Sequence, residues 1–278
     1  MANSNWSRQE VEVVVTDYLE MLKLDLSGIK YNKAEHRRKI IPLLNDRSHG
    51  SIESKHQNIS AVLIELGRVF IPGYKPLSKY QNLLKEVIIE RLPELVALDP
   101  LMEKYSRQIV STDLDKLDFH KWLVEPPEPS DVLREPKVSY GTIKRNYIEE
   151  EQRNKSIGDS GERLAFEFEK LRLSKLGKPS LVKSLKWVSR ELGDGAGYDI
   201  LSKNEDGSDR FIEVKSTTLS INTPIYFTKR ENDFATENPD QFYLYRVFDL
   251  RANPKMFQRK GAFSSYLHIE AQSFKGTF

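Results

Sequence analysis

The chain of 278 residues contains no cysteine, which excludes disulfides and thiolate metal sites and fits a reducing cytoplasm. No apolar run approaches the roughly 20 residues that a membrane-spanning helix needs. The opening Met-Ala-Asn-Ser-Asn-Trp is no signal peptide. A membrane partner is therefore not expected, and a cytoplasmic location is. No G-x-x-x-x-G-K-[ST] occurs, which argues against a P-loop engine. An excess of one charge sign is missing too: 43 basic and 41 acidic side chains leave a net +2, too little to argue for nucleic acid. Any such argument rests on where the charge sits. Histidine is scarce, and His36, His49 and His56 match neither H-E-x-x-H nor a finger spacing, so they are read as surface or turn residues.

What is present is a globular balance, 38% hydrophobic and 30% charged, in a length that suits one large or two ordinary domains. Residues 1–108 read as a helical domain. Ser7 and Glu10 form a capping box before an apolar stripe of Val11, Val14, Val15, Tyr18, Met21 and Leu22. Asn32 caps a second helix through Ile40 and Ile41, ended by Pro42. A third begins near Ser51 and stops at Gly67, and a fourth runs from about Ser78 to Leu92. Lys30, Lys33, Arg37, Arg38 and Lys39 crowd before the connector Asn45 to Gly50, and the next helix opens with polar residues. Helix, short turn, polar helix start is the outline of a helix-turn-helix, beside the plainer reading of a helical bundle with a solvated basic face. As a DNA reader it would use Lys55, Gln57 and Asn58 on bases, and Arg37, Arg38 and Arg47 on phosphates. The segment Arg47 to Ile59 also resembles, loosely, N-terminal helical modules attached to bacterial restriction-type nucleases.

Residues 109–150 change character. Asp113, Asp115 and Asp118 alternate with apolar residues, and Glu125-Pro126-Pro127-Glu128-Pro129 cannot continue a helix, so this is a linker in which Trp122 and Leu123 are able to pin to a neighbour. A lead-in helix occupies part of 137–154, with Glu149, Glu150 and Glu151 as a solvated acidic patch.

Residues 151–278 carry the chemistry. Tyr198 to Ser202 and Arg210 to Ser216 read as two strands joined by an Asp-Gly turn. Alternation points Ile212 and Val214, with Tyr198 and Ile200, to a core, and leaves Glu213 and Lys215 on the other side with Asp199 alongside. Two adjacent carboxylates repel unless a proton or a cation intervenes, and hard oxygen ligands suit Mg²⁺ or Mn²⁺. A lysine beside such a metal can hold a water for attack on a phosphodiester. A bare E-x-K is more often two solvated charges on a surface hairpin. Upstream, Ser156 to Leu171 reads as a helix with Leu164, Ala165, Phe168 and Leu171 on one side and Glu162 near its start. Gly193 to Gly197 lets the backbone turn tightly into the Asp199 strand. Lys170, Arg172, Lys175, Lys178, Lys183, Lys186 and Arg190 follow one another with no acid between, which suits a polyanion. Thr228 caps a helix through Phe234, leading to an aromatic strand from Gln241 to Phe248, and Lys229, Arg230 and Arg246 are placed to touch phosphates from the sheet's edge.

The set G-x-x-G-E at Gly158 to Glu162, Asp199, and E-V-K at Glu213 to Lys215 resembles the PD-(D/E)xK nuclease superfamily, with Tyr198 where its proline usually stands. Gly197-Tyr198-Asp199-Ile200 followed by Ile212 to Thr217 looks like the domain of unknown function named after the C-terminal part of the plant protein NO VEIN, over roughly residues 150 to 270. The resemblance implies a restriction-endonuclease-like α/β domain with a mixed central sheet, behind the helical domain. It implies a Mg²⁺- or Mn²⁺-dependent DNA endonuclease in restriction or anti-phage defence. Asp199, Glu213 and the Val214 carbonyl would bind metal and Lys215 would position water. Glu162 would support the metal, with Glu167 and Glu169 competing for that role. Lys183, Lys186, Arg190, Lys229 and Arg230 would contact DNA. The alternatives are a nuclease fold without catalysis that binds nucleic acid, or a protein-interaction subunit of a defence complex. Cutting both strands would commonly take a homodimer.

Overall fold

The computed structural model describes residues 5–110, 121–127, 145–193 and 195–271. The chain forms two compact units: Met1–Ile109 with Leu133–Asn154 and Leu219–Pro224, and Val110–Val132 with Lys155–Thr218 and Ile225–Phe278. The linker signals at Asp113 to Phe119 and Glu128 to Asp131, Asp194, and the lead-in helix from Lys137 to Lys144, lie outside the described residues.

The first unit is helical. Helix α1 (Arg8–Leu26) starts at a complete capping box: Ser7 Oγ accepts from the Glu10 amide while the Glu10 carboxylate takes the Ser7 amide. Its stripe of Val11, Val14, Val15, Tyr18, Met21 and Leu22 is fully buried. Asn32 caps α2 (Lys33–Ile40), and Pro42 falls in a 3₁₀ turn, Ile41–Leu43. Helix α3 (His49–Glu65) begins two residues before Ser51, because Ser48 rather than a later serine provides the capping oxygen. Gly67 follows it at φ +63°, left-handed backbone that favours glycine. Helix α4 (Asn82–Glu90) starts four residues after Ser78. Beyond it Pro93 and Pro100 sit in the first turns of α5 (Leu92–Ala97) and α6 (Asp99–Ser106) and break the run into short pieces. In α7 (Tyr147–Gln152) the expected acidic patch does not hold, since Glu151 is fully buried.

The second unit runs α8 (Lys155–Lys175), α9 (Pro179–Val182), β1 (Lys186–Trp187), α10 (Val188–Leu192), β2 (Ile200–Lys203), β3 (Asp209–Ser216), α11 (Lys229–Glu237), β4 (Phe242–Phe248) and β5 (Lys255–Lys260), then a 3₁₀ turn at Phe263–Ser265. The sheet order is β1-β2-β3-β4-β5, with β3 parallel to β4 and the other pairs antiparallel. The β2–β3 hairpin closes through Asn204 to Ser208, with Gly207 at φ +87°. The parallel step takes α11 as its crossover, as parallel strands require.

Each face of the sheet buries its own core. Ile200, Ile212, Val214, Tyr245 and Val247 pack with Ile157, Leu164 and Ala165 of α8 and with Trp122. Phe242 and Leu244 pack on the other side with Ala235 of α11, Phe263, and the partly buried Phe211 and Phe234. Trp122 and Leu123 are pinned as expected: the Met256 amide donates to the Trp122 carbonyl at 2.9 Å, and the Val124 amide to the Met256 carbonyl at 2.8 Å. Leu171, expected on the inner side of α8, is 41% exposed, and Leu173 is buried instead. Gly161 lies where α8 crosses β3: a Cβ there would stand 1.7 Å from Ser216 Oγ and 2.7 Å from Ser216 Cβ. Arg246, expected at the sheet's edge, is fully buried, because β4 lies between β3 and β5.

Candidate active site

Asp199 sits one residue before β2, and its polar groups are held on several sides. Its amide donates to the Ile212 carbonyl at 2.9 Å, its carbonyl accepts from Val188 and Ser189 at the start of α10, and its Oδ2 accepts from the Val214 amide at 2.7 Å. The turn leading into it passes Gly197 at φ +89°, where a Cβ would press on Phe234 at 2.9 Å. Tyr198 therefore does not share the face of Ile200. The strand begins only at Ile200, alternation does not reach back to Tyr198, and its ring lies against Phe211 and Phe234, 4.9 and 5.0 Å between centroids.

On β3, Ile212 and Val214 enter the core as expected, while Glu213, on the opposite face, is also buried, 2% exposed. Lys215 Nζ lies 2.8 Å from Glu213 Oε1 and 2.8 Å from Glu231 Oε2. Sequence reasoning missed Glu231, because the same residue completes the capping box of α11 with Thr228 and is legible only in that role. The Phe211 amide donates to the Gln241 carbonyl just before β4 and the Thr217 amide to the Val247 carbonyl of β4, while the Ile212 carbonyl takes Asp199. By this alternation the Val214 carbonyl points to the β2 side, towards Asp199.

Glu162 reaches this place from α8. Its Oε2 accepts from Trp187 Nε1 at 2.7 Å and from Ser189 Oγ, and Phe166 stacks on Trp187 at 5.3 Å. Trp187 and Ser189 were not anticipated either. Glu167 pairs instead with Lys170 at 2.7 Å. Glu169 is fully buried in a separate network with Arg172, Ser202 and Tyr245. Of the three acids, only Glu162 has its carboxylate held by Trp187 and Ser189, whereas Glu167 and Glu169 are engaged elsewhere. Because α8 lies on the Ile212 face and Glu213 points to the other, oxygens of Glu162, Asp199 and Glu213 do not all come within 4.8 Å of one another.

The electrostatics follow from burial. Desolvation, then Glu213 and Glu162, hold the Asp199 carboxyl well above the usual aspartate range. Desolvation pushes Glu213 up to about 7, against the pull of Lys215. Lys215 is raised although burial opposes it, since Glu213 and Glu231 both favour its charge. It is an ammonium at neutral pH and no proton acceptor. Glu213 and Glu231 hold Lys215, while Glu162 lies near enough to raise both Asp199 and Glu213; carboxylate oxygens of this kind are the donors that a hard divalent ion such as Mg²⁺ or Mn²⁺ takes.

The expected DNA contacts divide. Lys183, Lys186 and Arg190 are exposed, Arg190 lying over the Trp187 ring at 4.7 Å. Arg230 is exposed, and Lys229 pairs with Asp233. Arg172 turns inward to Glu169 and does not join the basic surface. In the helical unit Arg38 is exposed and Arg37 and Gln57 are half-buried. Arg47 is not a phosphate ligand on a surface: it is buried on Glu10, with Nε 2.7 Å from Oε1 and Nη2 2.9 Å from Oε2, and holds that carboxyl down to about 2. Asn58 is likewise used internally, donating to the Leu77 and Lys79 carbonyls. Lys55 is 5% exposed, and burial and Arg47 lower its ammonium to about 8. It lines a cleft of about 380 Å³ with Trp6, Ser48, Ser51, Ser54 and Asn58. Of the three histidines, His49 is exposed as expected, whereas His36 meets Asp17 and His56 is 1% exposed.

No helix of the described residues is long and apolar enough to cross a membrane. No solved structure matches the chain. Two proteins of Arabidopsis thaliana are similar to part of it. Protein NO VEIN-LIKE is 27% identical over 103 residues, 37% of this chain and 15% of that protein. Protein NO VEIN is 28% identical over 103 residues, 37% of this chain and 4% of that protein. Residues 161–258, which hold Glu162, Asp199, Glu213, Lys215 and Glu231, match the family model described as Protein NO VEIN, C-terminal.

Proposed function

We propose that the second unit is a metal-dependent DNA endonuclease of the restriction-endonuclease-like fold, acting in restriction or anti-phage defence. The observation that carries the reading is the convergence of Asp199, the Glu213–Lys215 pair and Glu162 at one end of a sheet whose order is helix, antiparallel strands, helix, parallel strand. The defence setting rests on the resemblance of the motif set alone.

Asp199 and Glu213 would hold one or two Mg²⁺ ions with the Val214 carbonyl, which would supply Lewis-acid stabilisation and a water of lowered pKa when bound. Asp199 is pre-oriented by the Val214 amide. Lys215, kept charged between Glu213 and Glu231, orients the attacking water and faces the developing phosphorane charge. Glu162, fixed by Trp187 and Ser189 and approaching from the other face of the sheet, would support the metal or its waters. Lys183, Lys186 and Arg190 supply phosphate contacts. Two such centres, as in a homodimer, would cut both strands.

The test is cleavage of plasmid and phage genomic DNA, modified and unmodified, with Mg²⁺ or Mn²⁺, by the intact chain, Lys215→Ala and Asp199→Ala. Metal-dependent cutting that falls at least about 10²-fold in both variants is expected, the scale of a lost transition-state contact. No cutting, with equal DNA binding in all three proteins, would instead favour a nucleic-acid-binding module or a protein-interaction subunit of a defence complex.

A further inference from the structure

The helical unit holds a second group of metal-ligating side chains. Asp17 and Glu20 lie one turn apart on α1 and His36 lies on α2, with a ligand atom of each within 4.8 Å of the other two. Among the described residues no other three potential ligands converge so closely. His36 Nδ1 stands 2.7 Å from Asp17 Oδ1. Asp17 is 5% exposed, yet its Oδ2 has no hydrogen-bond partner among the described residues. His56 Nε2, buried on α3 and equally without a hydrogen-bond partner there, faces that oxygen from 3.4 Å. Buried polar atoms without a hydrogen bond are costly, so this pair, close together but misaligned for a hydrogen bond, calls for an explanation.

We propose that Asp17, Glu20 and His36 bind a divalent transition-metal cation, with His56 as the outer partner that orients the Asp17 carboxylate. Metal-ligating carboxylates are commonly held by such a hydrogen bond on their other oxygen. A cation on the Oδ1 side would keep Asp17 ionised and draw His56 onto Oδ2. The donor set mixes one imidazole nitrogen with carboxylate oxygens, which suits Zn²⁺ and its first-row neighbours better than Mg²⁺. Glu20 is exposed while Asp17 is buried, so the site opens to solvent through Glu20 and leaves a fourth position for water or another ligand. The bound ion would tie α1 to α2, the helix that bears Arg37 and Arg38.

The test uses the full chain carrying Asp199→Asn and Glu213→Gln, so that the acids of the sheet do not compete. After chelation it is titrated with Zn²⁺ by calorimetry and with Co²⁺ by visible absorption. A single equivalent of Zn²⁺, tetrahedral-type Co²⁺ bands and a rise in melting temperature are expected. Adding His36→Gln should abolish the binding, and adding His56→Gln should weaken it about tenfold, the scale of an outer-shell loss. Glu20→Gln alters an exposed side chain, leaves folding intact and should weaken binding at least about tenfold. Absence of Zn²⁺ binding, or equal affinity in Glu20→Gln, overturns the proposal.

Discussion

Glu213 shows how burial and neighbouring charge decide what a residue does. Its carboxyl is raised from 4.5 to about 7, so between these values the folded protein binds more protons than the unfolded chain. Stability without metal therefore falls as pH rises from about 4.5 through about 7. Glu213→Gln keeps an acceptor for Lys215 and removes the charge. It should raise the unfolding free energy at pH 8 by about 2 kcal/mol and leave it nearly unchanged at pH 4.5, while removing the proposed cleavage. Urea midpoints at the two pH values measure this. Arg47 makes the opposite point. Its sequence context allowed a phosphate contact, but the partner that decides its role, Glu10, lies on α1 37 residues away. Arg47→Ala should cost about 3 kcal/mol, as for other broken buried pairs. Arg38→Ala, on an exposed side chain, should leave stability unchanged and lower only DNA affinity, a pair of outcomes read by urea unfolding and a binding isotherm.

At the scale of elements, α8 is placed by a glycine. Gly161 allows its backbone to approach Ser216 of β3, and that approach brings Glu162 to the Asp199 end of the sheet. Gly161→Ala inserts a methyl group into space held by Ser216. A loss of about 2 kcal/mol is expected, beyond any gain in helix propensity, together with a reduction of the proposed cleavage through a displaced Glu162. A control at Gly158, where an added Cβ would come no nearer than 4.0 Å to Glu162 Oε1, should gain rather than lose stability. Melting curves of the two variants separate crowding from propensity. The caps were legible because their signals are local: Ser7 with Glu10 and Thr228 with Glu231 lie three residues apart. The same locality hid Glu231 from the site, since its contact with Lys215 joins an element 16 residues away.

For the molecule as a whole, the distribution of charge rather than its sum sets the response to salt. Lys183, Lys186 and Arg190 remain exposed, whereas Arg47 and Arg172 are consumed by Glu10 and Glu169. Replacing the exposed three with alanine should flatten the dependence of log affinity for duplex DNA on log salt by about 2 to 3, near 0.9 per lost phosphate contact. Binding isotherms across a salt series measure the slope, and an unchanged slope would remove this surface from the interface.

Patterns within one element were determined by sequence alone: the apolar stripe of α1, the helix caps, the β2–β3 hairpin with its Asp-Gly turn, and the placing of Ile212 and Val214 in a core. Periodicity and short-range hydrogen bonding carry such information in a few adjacent residues. Tertiary structure decided which polar groups meet. It set Glu162 on Trp187, buried Arg246 inside the sheet, set Glu231 on Lys215, and brought His36 and His56 to the two oxygens of Asp17. Those contacts join residues distant in the chain, and their energy depends on a burial that no local pattern reports.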